Sequence, residues 1–329
     1  MRTIAVKVLV AVLATIVSLT SHAEGETGKV YRVGVLLYGG PYHEAIRGLR
    51  DGLRELGFEE GKRYVLDIRD GKGDPKAVEQ AAKELVKGKV DLIYALAGSV
   101  AKIAKQATEN TDVPVVFFAG SDPVSHLGLV QSFARPGGNL TGVHLMFTDL
   151  TPKRLEILRE LLPKTRRVLT FYNSGNKGAV EAASLAREAA QQVGIQLIER
   201  HVASADELRR GLEALKPGEA DAYFFTSDAM VGSQAYLIID RARVLKLPTV
   251  FHDSGLVAYG ALASYGGSFY DVGLLASKYV HRVLLGERPQ DLPILRVRKL
   301  EAAVNLKTAR ELGISISKDF LSRADAVYR

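Results

Sequence analysis

Short apolar runs alternate along this chain with stretches in which apolar residues recur every three or four positions. The runs predict strands at residues 31–38, 64–68, 90–96, 113–119 and 140–145. Between them, Ala45, Ile46, Leu49, Leu53 and Leu56 lie at helical spacing and stop at Gly57, and Val78, Ala81, Ala82 and Leu85 do the same before Gly88. A shorter helix runs from Gly98-Ser99 through Ala107. After the turn Pro136-Gly137-Gly138-Asn139 the alternation resumes, with strands at 168–172 and 195–198 and helices carrying Val180, Ala183 and Ala190, then Leu208, Leu212 and Leu215. Strands separated by helices of this length predict parallel sheets with right-handed crossovers.

One pattern occurs twice. Val90-Asp91-Leu92-Ile93-Tyr94 is followed, after a helix, by Pro114-Val115-Val116-Phe117-Phe118 ending in Ser121-Asp122; Ala220-Asp221-Ala222-Tyr223 is followed by Pro248-Thr249-Val250-Phe251 ending in Asp253-Ser254. Each copy is a βαβ unit, so the chain is α/β with two Rossmann-like lobes. Ligands of such sheets sit beyond the carboxyl ends of the strands, and two facing lobes would share one cleft, as a clamshell does. Residues 140–145, 261–265 and 295–304 are expected to cross between lobes, and the helix at 271–285 to return to the first. Lobe I is thus expected at 30–142 plus 263–292 and lobe II at 143–262 plus 293–329.

The N-terminus departs from this pattern. Arg2 and Lys7 precede an uncharged apolar run at 8–19, then Ser21-His22-Ala23 and Glu24. That order marks a secretory signal peptide at 1–23, and the run is short of the ~20 residues that span a bilayer. With no cysteine in the sequence, disulfides, a catalytic thiol and a lipidated cysteine are excluded, and an unlipidated periplasmic protein is expected. Over 329 residues, 47% are hydrophobic and 25% charged, which suits two soluble domains. The net charge of +7 falls to +5 without Arg2 and Lys7. No dense basic run with interleaved aromatics accompanies it, so no nucleic-acid partner is expected.

Candidate chemistry lies at the strand ends: Gly39-Gly40, Gly98-Ser99, Gly120-Ser121-Asp122, Asn173-Ser174, Ser227-Asp228 and Asp253-Ser254. Small residues let a ligand approach the backbone, and helix N-termini suit a carboxylate. Each of these residues is equally an ordinary N-cap. Ser99 and Ser121 are expected to take an anionic or carbonyl group, and Asn173, Asp228 and Asp253 to accept from amino or hydroxyl donors. Tyr42 and Tyr270 would supply apolar walls. The histidines lack metal-ligand spacing, no His-Glu-x-x-His or Gly-x-Ser-x-Gly occurs, and His252-Asp253-Ser254 cannot form a triad from adjacent positions. No cofactor, no metal and no catalytic residue is expected.

Several segments carry a family resemblance: Pro114-Val115-Val116-Phe117, Asp122-Pro123-Val124, Arg135-Pro136-Gly137-Gly138-Asn139-Leu140-Thr141-Gly142, Lys153-Arg154-Leu155-Glu156, Tyr172-Asn173, Gly260-Ala261-Leu262-Ala263-Ser264-Tyr265, Val304-Asn305-Leu306-Lys307-Thr308 and Leu321-Ser322-Arg323-Ala324-Asp325. With these the chain resembles the ABC transporter substrate-binding proteins of the tryptophan/tyrosine-type group, a branch with the periplasmic binding protein type I fold. The resemblance implies a monomeric receptor that delivers a small organic solute (an amino acid, or another aromatic or carboxylate-bearing molecule) to an inner-membrane permease. It implies ligand contacts from the loop 38–43 and from Ser99, Ser121, Asp122, Asn173, Asp228, Asp253 and Tyr270. The chain departs from the amino-acid binders at Gly39-Gly40, at Ser174-Gly175-Asn176 and at His252. A ligand sensor for a signalling receptor is the alternative use of such a clamshell, and a periplasmic enzyme a further one.

N-terminal sequencing of the protein from periplasmic extract is expected to begin at Glu24; an intact Met1 in a membrane pellet would contradict the signal-peptide reading.

Overall fold

Four apolar runs with no polar face form the centre of the first sheet. β1 (Tyr31–Leu37), β3 (Leu92–Leu96), β4 (Val115–Ala119) and β5 (Leu140–His144) are buried almost end to end, which requires cover on both faces. β2 (Tyr64–Asp70), half exposed, and the two-residue β11 (Leu295–Arg296) close its edges. The order is β11-β5-β4-β3-β1-β2, with every pairing parallel. α1 (His43–Glu55), α2 (Pro75–Lys87), α3 (Gly98–Thr108) and α10 (Phe269–Leu284) share its hydrophobic core. The structure, a computed structural model, describes residues 29–329. The signal-peptide reading at 1–23 lies outside the described residues. Lys29 and Val30 belong to a separate N-terminal unit, and residues 31–329 form one compact body.

The second sheet has seven strands in the order β13-β12-β10-β9-β8-β6-β7. They are β6 (Arg167–Tyr172), β7 (Gln196–His201), β8 (Ala222–Phe224), β9 (Thr249–Phe251), β10 (Ala263–Gly266), β12 (Glu301–Asn305) and β13 (Ala326–Tyr328). Only β10 and β12 are antiparallel. The helices here are α4 (Thr151–Leu161), α5 (Lys177–Gln192), α6 (Ala205–Glu213), α7 (Ala229–Ser233), α8 (Ala235–Val244), α9 (Ser254–Tyr259), α11 (Leu306–Glu311) and α12 (Lys318–Arg323). Several start where the sequence offers a cap: the side chains of Asp74, Asn176, Ser204 and Ser317 each accept from a first-turn N–H.

Sheet membership differs from the expected lobe boundaries at two segments. β10, expected with lobe I, pairs with β9 and β12 in the second sheet. β11, expected with lobe II, pairs with β5 in the first. The chain therefore changes lobe in the links just after the strands: after β5, between β10 and α10, and between β11 and β12. These links pack together. A Cβ on Gly267 would lie 2.9 Å from Val297 Cγ1, and one on Gly266 would lie 3.5 Å from Phe147 Cε1 and 2.3 Å from the His252 carbonyl. A side chain at Gly266 would strike backbone and one at Gly267 the Val297 side chain, so both positions of the second crossing favour glycine.

α10 is held to lobe I by another set of small residues. A Cβ on Gly48 would fall 2.0 Å from the Tyr270 carbonyl, one on Gly273 2.1 Å from the Ala45 carbonyl, and one on Gly52 2.2 Å from Ser277 Oγ. The first two would strike backbone, which cannot rotate aside. Gly273→Ala is expected to destabilise by about 1–3 kcal/mol through overpacking, read as a lower urea midpoint at unchanged slope. An unchanged midpoint would contradict the close helix crossing.

Candidate functional site

A cavity lies where the strand ends of the two lobes face each other. From lobe I come Tyr42 after β1, Ala97, Gly98 and Ser99 after β3, and Gly120 and Ser121 after β4, with Phe118 at the end of β4 itself. Lobe II supplies Asn176, Phe225, Ser227, Asp228 and His252, and Phe147 enters from the first crossing. The cavity is small, about 40 Å³. A wider pocket of about 350 Å³ adjoins it and shares Ser99, Asn176 and Asp228, adding Asn173, Lys102 and Lys177.

The inner walls are aromatic. His252 stacks on Phe225 with ring centres 4.6 Å apart and meets the edge of Phe147 at 4.1 Å. Tyr42 packs beside Phe118 at 5.9 Å. Phe269 sits behind them, within 6 Å of Tyr42, Phe118, Phe147 and His252. The lobes touch across this site: Tyr42 donates its hydroxyl to the Ala229 carbonyl (3.2 Å), and a Cβ on Gly40 would lie 2.0 Å from the Ser233 carbonyl. Gly40 has φ +61°, so glycine there meets both the turn and the close approach. Ala97 also stands at positive φ (111°) with ψ 154°, a strained conformation for a residue with a Cβ. It presents Gly98 and Ser99 to the cavity.

Asp228 is buried, and its carboxylate accepts from Val231 N (2.9 Å), Asn173 N (3.2 Å) and Asn176 Nδ2 (3.4 Å). Burial raises its pKa, opposed by those donors. Ser121 Oγ pairs with Thr148 Oγ1 at 2.8 Å, and Ser99 Oγ is buried beside the Tyr38 hydroxyl. The His252 pKa is held well below its ordinary value by burial and then by Arg154, so the ring is neutral. Arg154 is itself buried behind the wall, donating to the Phe147 carbonyl (2.7 Å) and Thr151 Oγ1 (3.1 Å). Burial lowers it to about 9, which leaves it cationic at neutral pH. Among the described residues, no cluster of histidines and carboxylates could hold a metal ion.

Of the residues singled out in the sequence, Tyr42, Ser99, Ser121 and Asp228 line the inner cavity, and Asn173 lines the adjoining pocket. Three do not line either. Asp122 turns back to accept from Val124 N (2.7 Å) and Ser125 N (2.9 Å). Burial works against its charge, but these N–H groups outweigh it and lower the pKa. Asp253 is buried and accepts from Phe269 N at 2.7 Å, tying lobe II to the start of α10. Tyr270 faces the other way: its hydroxyl donates to Asp51 (2.9 Å) beneath the Arg47 guanidinium. One helical position turns a side chain by about 100°, and Phe269 takes the inward direction instead. Phe118, Phe147, Phe225 and His252 were absent from the expected site. The signal for three of them was an aromatic residue at or just past a strand end, one to three positions before the polar cap.

The arrangement is that of a two-lobed binding protein, with a chamber between two α/β lobes that opens into an outer pocket. A profile of the ABC transporter substrate binding protein family matches residues 32–328; the chain belongs to that family. A tyrosine-binding protein of Clostridioides difficile (strain R20291) is 26% identical over 269 residues, covering 82% of this chain and 76% of the relative. Among solved structures, an ABC domain in complex with L-Trp from Streptococcus pneumonia is 25% identical with a TM-score of 0.79, covering 91% of this chain and 100% of that one. A conserved domain protein from Vibrio cholerae is 27% identical with a TM-score of 0.80 and the same coverage. No described helix is long and apolar enough to cross a membrane.

Burial raises the Asp253 pKa from 3.8 to about 6. Below both values the carboxyl is neutral in the folded and unfolded chain alike. As pH rises the unfolded chain ionises first, so the native state loses relative stability until it too ionises near pH 6. Wild type should therefore lose about 3 kcal/mol relative to Asp253→Asn between about pH 3 and pH 7. Urea unfolding of both proteins across that range checks it, and parallel stability curves would contradict the buried placement.

Proposed function

We propose that this protein is the periplasmic receptor of an ABC uptake system, acting as a monomer that binds an amino acid with a phenyl-sized side chain and hands it unchanged to an inner-membrane permease. The observation that carries the reading is the inner cavity: an aromatic box built from both lobes, with one buried carboxylate, Asp228, at its polar end. An apolar ring would fill the box against Tyr42, Phe118, Phe147, Phe225 and His252. The Asp228 carboxylate suits an ammonium, and Ser99 and Ser121 offer hydroxyls to the remaining polar atoms. The tyrosine and L-Trp of the two relatives support the same class of solute. The small inner volume favours a single ring over an indole. Closure around the solute would bury most of it and create the surface that the permease reads.

A thermal-shift series with L-tyrosine, L-phenylalanine and L-tryptophan on protein stripped by unfolding and refolding tests this. A solute at 100 times its Kd adds about 2.7 kcal/mol, worth a few degrees in Tm for a chain of this size. Tyrosine or phenylalanine should exceed tryptophan, and Asp228→Asn should weaken binding roughly ten- to a hundredfold, an effect of about 1.5–3 kcal/mol. The cap itself should survive, since Asn caps about as well as Asp. No response to any of the three, or wild-type affinity in Asp228→Asn, would overturn the reading.

A further inference from the structure

The pocket adjoining the aromatic chamber has a chemistry of its own. Two of its lining residues are lysines, Lys102 on α3 of lobe I and Lys177, the first residue of α5 of lobe II. Among the described lysines, Lys62, Lys153 and Lys299 pair with carboxylates. Among the described residues, neither Lys102 nor Lys177 has an acidic partner within ion-pair distance. Asp228 is the one carboxylate on the pocket wall, and it is already engaged by Val231, Asn173 and Asn176. The two lysines, one from each lobe, thus line one pocket without an ion-pair partner of their own. Burial first, and then the charge of Lys177, lower the Lys102 pKa, as such an uncompensated pair requires. Ser99 Oγ, buried beside the Tyr38 hydroxyl, lies on the wall shared by the two spaces.

We propose that this outer pocket is a carboxylate subsite in which Lys102 and Lys177, one from each lobe, hold the acid group of the bound solute and thereby couple its binding to closure. The inference rests on reading the cleft as a solute site, and it fixes the orientation: ring inward, ammonium at Asp228, carboxylate outward between the lysines. Without an anion the pair opposes the closed form. With one, the same two charges bridge the lobes through the ligand. A ligand lacking the carboxylate would leave the repulsion in place, so the pair selects acids over amides and esters.

Two arms test it. In the first, acetate is titrated into protein carrying ¹⁵N-labelled lysine, with chloride at matched ionic strength as control. The side-chain resonances of Lys102 and Lys177, assigned by Lys102→Gln and Lys177→Gln, should shift saturably with acetate, and the response of each should weaken when the other is replaced. A non-saturating shift no larger than that of exposed Lys83 would overturn the proposal. In the second arm, calorimetry compares L-tyrosine with L-tyrosinamide. The double variant should lose about tenfold or more on tyrosine and little on the amide, with Tm unchanged in the absence of ligand. Equal losses on both, or none, would overturn it. If wild type binds neither compound, the aromatic amino-acid reading falls and the acetate arm alone decides the subsite.

Discussion

Phe147, Gly266-Gly267 and Val297 occupy the three links between the lobes, and they touch. Three crossings packed this closely give the lobes one short common line, the arrangement that hinge closure around a ligand requires. The same cluster supplies a wall of the chamber. Phe147 faces His252, its carbonyl accepts from buried Arg154, and neighbouring Thr148 pairs with Ser121 in lobe I. Hinge and ligand wall are therefore one structure. In the proposed reading, a solute filling the box would press on these links.

The charges of the cleft are arranged in depth. The aromatic chamber holds a neutral imidazole and no exposed cation, with Arg154 behind its wall. One carboxylate, Asp228, stands where the chamber opens into the outer pocket, and the two lysines lie beyond it. Burial raises the Asp228 pKa while backbone and amide donors stabilise its charge, so a ligand ammonium would complete a balance already partly made. Such a gradient suits a zwitterion with an apolar body better than a simple anion, which would meet Asp228 without compensation.

The alternation of strands and helices was legible because its signals are local: continuous apolar runs for buried parallel strands, period-3.6 stripes for helices, and Asp, Asn or Ser at helix starts. The polar strand ends were legible for the same reason, and Ser99, Ser121, Asn173 and Asp228 do meet at the cleft. The lobe boundaries at β10 and β11 were not, since the partner of a four-residue strand is chosen by long-range pairing. Asp253 and Asp122 carry the cap chemistry that suggested a ligand, yet their carboxylates are spent on backbone N–H groups. The aromatic box was hidden because Phe118, Phe225 and Phe147 read as core residues in the sequence. Only the facing of two sheets turns them into a binding surface. Tyr270 stands one helical position from Phe269, and no periodicity argument says which of the two turns toward the cleft.

The claim that everything else depends on is that the cleft closes on a small solute. The chain has no cysteine, so spin labels can be placed cleanly at Glu109→Cys and Glu188→Cys, exposed sites on opposite lobes. Their distance distribution would be measured by pulsed electron spin resonance in buffer, with L-tyrosine, with L-tryptophan, and with the low-molecular-mass fraction of a periplasmic extract. The account predicts a broad distribution for stripped protein that collapses to a single narrow distance with tyrosine or with the extract. A distribution that is the same in all four conditions would contradict it.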